Sequence, residues 1–457
     1  MTAVRNTLGR AELASWPLTP IEELDLYLET AADPSLIQLE LPVGGHLDVA
    51  VLAAALAGVL AADPAARRRL AAASRWRRRL RWETGAPGHL DGVLTVASWR
   101  SPGQLATLRE WVTTWPIPLC DRTIRLVLAA GPDRDIVILQ THHAAFDGIS
   151  SLALLSAIGA AYRERAGDLA SSGPQAVPPL AARPFGTAGP ARGRGADSTT
   201  SALTRIAARI AVRIPGAATR IASHSARPDR PGYGCVQRSL PVPRPAREGD
   251  GPFPTVNDLL VAALIRTVDR WNTAHGRRSD RIRISVPVSD RSHPDRCADP
   301  GNQTRLIRVT ARSRERADPG RLLAHVAAQT RAAKERPTAG LDAASRLLAT
   351  GWAPAAIKCH AVRLARRVAA PLCTDTALLS NLGAIPCPPC FSGSGTEPLW
   401  FSGPARMPRG LGVGALTIAG QLHLCVHHQH ALLDRSAAAD FTALYCEALG
   451  ELTGSPA

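Results

Sequence analysis

The sequence predicts an α/β protein made of two subdomains of similar size. Its 457 residues exceed the roughly 250–300 at which a single hydrophobic core stops growing. β-Branched strand patterns alternate with amphipathic helical patterns in both halves. Between them, from about residue 166 to 234, the composition shifts to Gly, Pro, Ser and Arg, which marks a connection. The expected organisation is a first subdomain over 1–178, a connection over 179–232 and a second subdomain over 233–457.

Taken in order, residues 41–43 read as a short strand and 47–62 as a helix with Asp48 near its start. Asp63-Pro64 ends that helix, because proline restricts the residue before it. Residues 67–82 hold eight Arg with Trp76 and Trp82. Residues 123–129 and 136–140 are apolar and β-branched, and Gly131-Pro132-Asp133 joins them as a hairpin. Ser150 or Ser151 then caps a helix running to about Arg165. Within the connection, Ile206, Ile210 and Ile214 alternate with Arg205, Arg209 and Arg213 as the two stripes of a short basic helix. The second half offers helices at 255–272, 319–334 and 341–369, strands at 281–287, 377–379 and 415–426, and a terminal helix at 434–449. No short repeat is visible.

The formal net charge is +16, and apart from Lys334 and Lys358 every basic side chain is Arg. Such a charge suits an acidic partner, but the accompanying Ala, Gly and Pro point to coding bias, which halves its weight as a functional signal. Nine Cys in a long chain whose first fifteen residues lack an apolar run suggest reduced thiols and a cytoplasmic enzyme, with peripheral membrane contact left open. The longest apolar run, 49–62, is shorter than the ~20 residues a membrane span needs.

The segment His142-His143-Ala144-Ala145-Phe146-Asp147-Gly148 carries the chemistry. A strand delivers two adjacent His to a turn, and adjacent strand residues face opposite ways. One imidazole can therefore face a cavity while the other packs inward. A histidine accepts and returns a proton near neutral pH, and a positioned general base typically supplies about 10²–10⁴ in rate. Gly148 permits a left-handed backbone at the turn, and Asp147 could pin the loop through an Arg.

These residues match the HHxxxDG motif at every fixed position, and the chain resembles the condensation-domain superfamily of acyltransferases. Other segments extend the resemblance. Leu18-Thr19-Pro20 through Pro64 looks like the family's opening strand and helix. Thr255-Val256-Asn257-Asp258-Leu259-Leu260 is similar to the "TVNDVLLA" helix of wax ester synthase/diacylglycerol acyltransferases. The segment from Ser285 to Arg291, followed by Gly301-Asn302, is similar to a "VPVNLR" strand. Ser380-Asn381-Leu382-Gly383 is similar to the "SNLG" crossover segment, placed near 377–395. The DFGWG signature of the plant BAHD branch is absent.

The resemblance implies two chloramphenicol-acetyltransferase-like α/β subdomains in a V, with the active site in a central channel. It implies His143 as catalytic base, and His142, Asp147 and Gly148 as structural residues of the site. Arg291 is the implied partner of Asp147, and Ser380 and Asn381 are implied to lie along the substrate channel. The donor would be an acyl thioester of phosphopantetheine, on coenzyme A or on an acyl or peptidyl carrier protein. The acceptor would be a small-molecule alcohol or amine. No permanently bound cofactor is expected, and no G-x-S-x-G nucleophile elbow occurs. A free-standing condensation enzyme of specialised metabolism ranks above a lipid O-acyltransferase of the wax ester synthase/diacylglycerol acyltransferase kind. A non-catalytic, carrier-protein-binding scaffold is the alternative of another class.

Other clusters read as structural. Cys387-Pro388-Pro389-Cys390 lacks the second ligand pair of a zinc site. On a strand, His428 and His430 share one face and His427 the other, so the three do not converge on a metal. The basic run 67–82 reads first as a solvated face, then as a docking surface for an acidic carrier protein or anionic membrane, with nucleic acid not expected. Gly410-Leu411-Gly412-Val413-Gly414 lacks nucleotide-binding spacing.

Overall fold

A computed structural model describes residues 15–30, 33–72, 76–85, 92–172, 217–226, 230–244, 254–289, 304–335, 351, 353–392 and 397–453. In chain order the first half contains β1 (Ser15–Pro17), α1 (Pro20–Leu28), β2 (Leu36–Pro42), α2 (Val49–Ala62), β3 (Arg68–Leu70), β4 (Arg81–Thr84) and β5 (Leu94–Ser98). It continues with α3 (Pro102–Thr114), β6 (Ile124–Ala130), β7 (Ile136–His142) and α4 (Gly148–Ser172). The second half opens with β8 (Tyr233–Pro241), α5 (Val256–Ala274), β9 (Arg281–Ser289), β10 (Thr304–Arg312), α6 (Ser313–Arg316) and α7 (Pro319–Glu335). It closes with α8 (Ala355–Cys373), β11 (Ala377–Ala384), β12 (Trp400–Ser402), β13 (Leu411–Ile418), β14 (Gln421–Gln429) and α9 (Arg435–Thr453).

Two mixed sheets organise the fold. The first has the order β12-β2-β7-β6-β5 and the second β10-β9-β11-β13-β14-β8. A small β1-β4-β3 sheet flanks the first. β12 belongs in sequence to the second half yet pairs antiparallel with β2, Phe401 opposite Leu39. This is the crossover, and it carries Phe401 into the first half's core together with Phe391, Leu399, Leu416 and Ile418. The second half has its own core around α5, where Leu259 through Ile265 are all fully buried.

Local chemistry fixes the elements. Thr19 and Glu22 form a reciprocal capping box at α1, and Asp48 caps α2 by accepting from Ala50 and Val51 N–H. Thr255 and Asp258 cap α5 in the same way as the first of these. The other Asp258 oxygen accepts from Thr330 Oγ1 at 2.6 Å, tying α7 to α5.

Several expectations need correction. The helix after the His pair begins at Gly148, and its cap is Asp147, whose Oδ1 accepts from Ser150 N–H at 2.8 Å. Gly148 is not among the residues with positive φ. The run 415–426 is not one strand, because Ala419 and Gly420, at φ 47° and 77°, turn it into the β13–β14 hairpin. The basic run is not simply a solvated face. Arg68 is buried and donates from Nε to Ala65 O, Arg79 pairs with the fully buried Glu23 at 2.9 Å, and Trp82 is completely enclosed. The Ile206–Ile210–Ile214 stripe, residues 341–350 and Arg291 lie outside the described residues.

Candidate functional site

The site forms where β7 ends. β7 lies between β2 and β6, and Leu36 stands opposite His142 in register. Backbone bonds fix both histidines, His142 N–H to Thr123 O and His143 N–H to Ser35 O, each at 2.8 Å. The chain then turns tightly, with Ala145 and Phe146 N–H both donating to His142 O. Asp147 closes the turn. Its N–H donates to Ser150 Oγ at 2.9 Å, and Ser151 Oγ donates to its carbonyl at 2.7 Å.

The two imidazoles have different surroundings. His142 is completely buried. Its Nδ1 accepts from Ala144 N–H at 3.2 Å, and its Nε2 therefore carries the proton it donates to Glu29 Oε2 at 3.0 Å. Glu29 is locked in turn by Ser35 N–H. Burial would raise its carboxyl, but the bond from His142 and the nearby positive charge hold it below the usual range. His143 keeps 30% of its side-chain surface exposed. Its Nδ1 is hydrogen-bonded to Asp25 Oδ2 on α1.

Asp25 sits in a charged seam between the halves. Arg406 Nη1, from the segment after β12, stands 3.5 Å from Asp25 Oδ1. Burial would raise the Asp25 carboxyl, but His143, Arg406 and His142 together hold it well below the ordinary value. Further second-half cations grip α1 and its end. Lys358 reaches Glu23 at 3.4 Å, Arg363 donates to the carbonyls of Tyr27 and Glu29, and Arg366 donates to Leu28 O. Sequence reasoning missed Asp25 and Glu29. The acidic spacing of α1 is visible in the chain, but nothing in it indicates the His pair more than a hundred residues away.

The remaining expected residues fall around this centre. Asp147 is buried and caps α4. A Cβ on Gly148 would lie 2.6 Å from Leu382 Cδ2 and 3.0 Å from the Phe401 ring. Ser380 and Asn381 lie half-buried on β11 beside Gly414 and Ala415. Asn381 Oδ1 accepts from Gly383 N–H at 2.9 Å, so the amide braces its own turn. Leu382, the next residue, brings that segment against the His-His turn. A pocket between the sheets is lined by Leu36, Gln38, Gln140, Tyr233, Ser402 and His427, and neither His143 nor Ser380 nor Asn381 is part of its lining.

The other clusters have local roles. His427 Nδ1 bonds to Gly403 O and its ring stacks on Tyr233. His428 Nδ1 bonds to Leu433 O. Burial pushes His427 down to about 4 and His428 down to about 3, so both are neutral. Cys387 is exposed, and Cys390 is buried with its Sγ donating to Ser392 O at 3.5 Å. Among the described residues no three His, Cys, Asp or Glu gather as a metal site, and no helix is long and apolar enough to cross a membrane.

No known family model matches the chain. Two uncharacterised proteins of Mycobacterium tuberculosis, one from strain CDC 1551 and one from strain H37Rv, are each 27% identical over 451 residues, covering 94% of this chain and 98% of each relative. Among solved structures, the first condensation domain of the calcium-dependent antibiotic synthetase, in complex with a substrate analogue, superposes with a TM-score of 0.60 at 15% identity over 97% of both chains. The starter condensation domain of rhizomide synthetase, a double mutant in complex with C8-CoA and Leu-SNAC, superposes at 0.58 with 14% identity over 97% of this chain and 96% of that one. The condensation domain of the monacolin K polyketide synthase gives 0.56 at 12% identity over 97% and 98%.

Proposed function

We propose that this chain, which has the condensation-domain fold, is an acyltransferase that joins an acyl group from a phosphopantetheine thioester to a hydroxyl or amine, with His143 as general base. The observation that carries this reading is the state of His143: a ring held at a strand end, partly open to solvent, with Nδ1 bonded to the largely but not fully buried Asp25 carboxylate. That bond places the ring's lone pair on Nε2. Nε2 removes the acceptor's proton as the acceptor oxygen or nitrogen attacks the thioester carbonyl. The tetrahedral intermediate then collapses, the carbon–sulfur bond breaks, and the proton passes to the departing thiolate. No acyl-enzyme forms, and holding two reactants together supplies much of the acceleration.

His142, Asp147 and Gly148 build the turn that presents His143, while Ser380 and Asn381 border the approach to it. The complex of the rhizomide domain with C8-CoA and Leu-SNAC supports a thioester donor and leaves coenzyme A and carrier protein both open. The lipid reading drew on Asn257-Asp258; of these, Asp258 caps α5 and binds Thr330, a structural role that carries no information about substrate. The free-standing condensation enzyme therefore remains the first reading, the lipid O-acyltransferase the second.

The test is to incubate the purified chain with octanoyl-coenzyme A, or an octanoyl carrier protein, and a panel of amines and alcohols. Mass spectrometry should detect an acylated acceptor with release of one thiol per product. Binding of carrier protein with no acylated acceptor from any combination would favour the scaffold instead.

A further inference from the structure

We propose that Asp25 is the positioning residue for His143 and that Arg406 holds Asp25, so that the base is fully assembled only where the two halves meet. This rests on the reading of His143 as the base and adds to it a second residue and a third.

Three observations carry the inference. Asp25 divides its two oxygens, Oδ2 to His143 Nδ1 and Oδ1 toward Arg406. α1, which carries Asp25, belongs to the first half, and Arg406 follows the crossover strand of the second. Arg406 is nearly enclosed, and its Nε and Nη2 are buried with no hydrogen-bond partner among the described residues. Burying a guanidinium is costly unless carboxylates compensate it; Asp25 stands within ion-pair distance of Arg406, and Asp33 and Glu29 also feel its charge. Electrostatics agree: the carboxyl stays ionised because His143 and Arg406 flank it.

The chemistry follows. A carboxylate on Nδ1–H selects the tautomer with Nε2 unprotonated, fixes the ring plane, and stabilises the imidazolium that forms when Nε2 takes the acceptor's proton. The carboxylate itself does not take the proton. A structural ion pair joining the halves would stabilise the fold but would leave turnover at saturating substrate unchanged.

Asp25→Asn, Asp25→Glu and Arg406→Met are compared with wild type and His143→Ala in the acyl-transfer assay, with melting temperatures recorded for each. Asp25→Asn is expected to lower kcat about 10²–10⁴-fold, with KM within about threefold and Asp25→Glu partly restoring kcat. Arg406→Met is expected to lower kcat about tenfold. Asp25→Asn at the wild-type kcat, with His143→Ala inactive, overturns the role of Asp25 and leaves the base intact. His143→Ala at the wild-type rate overturns the base and this proposal with it. A readout on the unaltered protein is ¹⁵N NMR of histidine-labelled wild type, with His143 assigned by the resonance lost in folded His143→Ala. The Nδ1–H resonance is expected, and an Nε2–H tautomer at neutral pH overturns the proposal.

Discussion

Gly148 lies so close to Leu382 that a methyl group on its Cα would come within 2.6 Å of Leu382 Cδ2. Gly148 ends the His-His turn, and Leu382 lies in the segment leading to the crossover. The glycine thus sets the approach of the two halves at the site. Gly148→Ala is expected to overpack this contact and cost about 1–3 kcal/mol. Leu382→Ala opens the space, so the double variant should recover much of the loss, a coupling that a double-mutant cycle of melting curves measures. Strictly additive effects would show that the two positions do not press on each other.

Gly414 is tighter still. Its Cβ would fall 1.8 Å from the carbonyl oxygen of Phe401, a backbone atom of the crossover strand. Gly414→Ala is expected to unseat β12 and to yield insoluble protein or a large loss of stability. The companion Gly412→Ala, whose Cβ would lie 3.9 Å from Ala405, should fold normally. Equal solubility and melting temperature for the two variants would contradict this account of the Gly-rich segment.

His142 is expected to matter for stability first. Removing its imidazole leaves the partly exposed Glu29 without its buried donor, which costs at most the roughly 1–3 kcal/mol of a fully buried orphan. His142→Ala should therefore melt several degrees lower. Glu29 adds a pH dependence. Its folded-state carboxyl is lowered from 4.5, so the stability it contributes is full above that value and declines as pH falls below it. Glu29→Gln should flatten the acid limb of the stability curve, and an unaltered limb would remove Glu29 from the account.

Asp33 behaves in the opposite sense. Burial pushes its carboxyl up to about 6, against the pull of Arg406 and Arg366, while the Tyr233 hydroxyl donates to it. A raised acid favours the folded state most when protonated, so this contribution is full below 3.8 and is lost as pH rises through about 6. Asp33→Asn keeps an acceptor for Tyr233 and removes the buried charge. It is expected to raise stability at pH 7 by on the order of 2–3 kcal/mol and to leave stability at pH 4 nearly unchanged. Denaturant titrations at the two pH values decide it, and a destabilised variant at pH 7 would contradict the sign.

The parts legible in the sequence are those with local causes. The β6–β7 hairpin, the strand–turn–helix around His142 and His143, and the caps at Asp48 and Thr255 follow from neighbours in the chain. What is not legible depends on distant pairs. Asp25 and Glu29 meet the histidines across 118 and 113 residues, and their spacing on α1 carries no mark of that meeting. β12 has only three residues, too few for a period, and its place beside β2 is set by Phe401 entering the other half's core. The β13–β14 turn is hidden because Ala419 takes a left-handed φ that its side chain does not advertise. Arg68 and Arg79 read as part of a solvated run because composition shows charge and not partners.

The central claim is that His143 moves the acceptor's proton. The most direct measurement is the single-turnover rate of acyl transfer by His143→Ala, with a melting curve to verify its fold. A loss of about 10²–10⁴-fold is expected in a variant whose melting curve shows that it still folds, at a somewhat lower temperature because Asp25 loses its partner. A variant that folds and transfers the acyl group as fast as the wild type would contradict it.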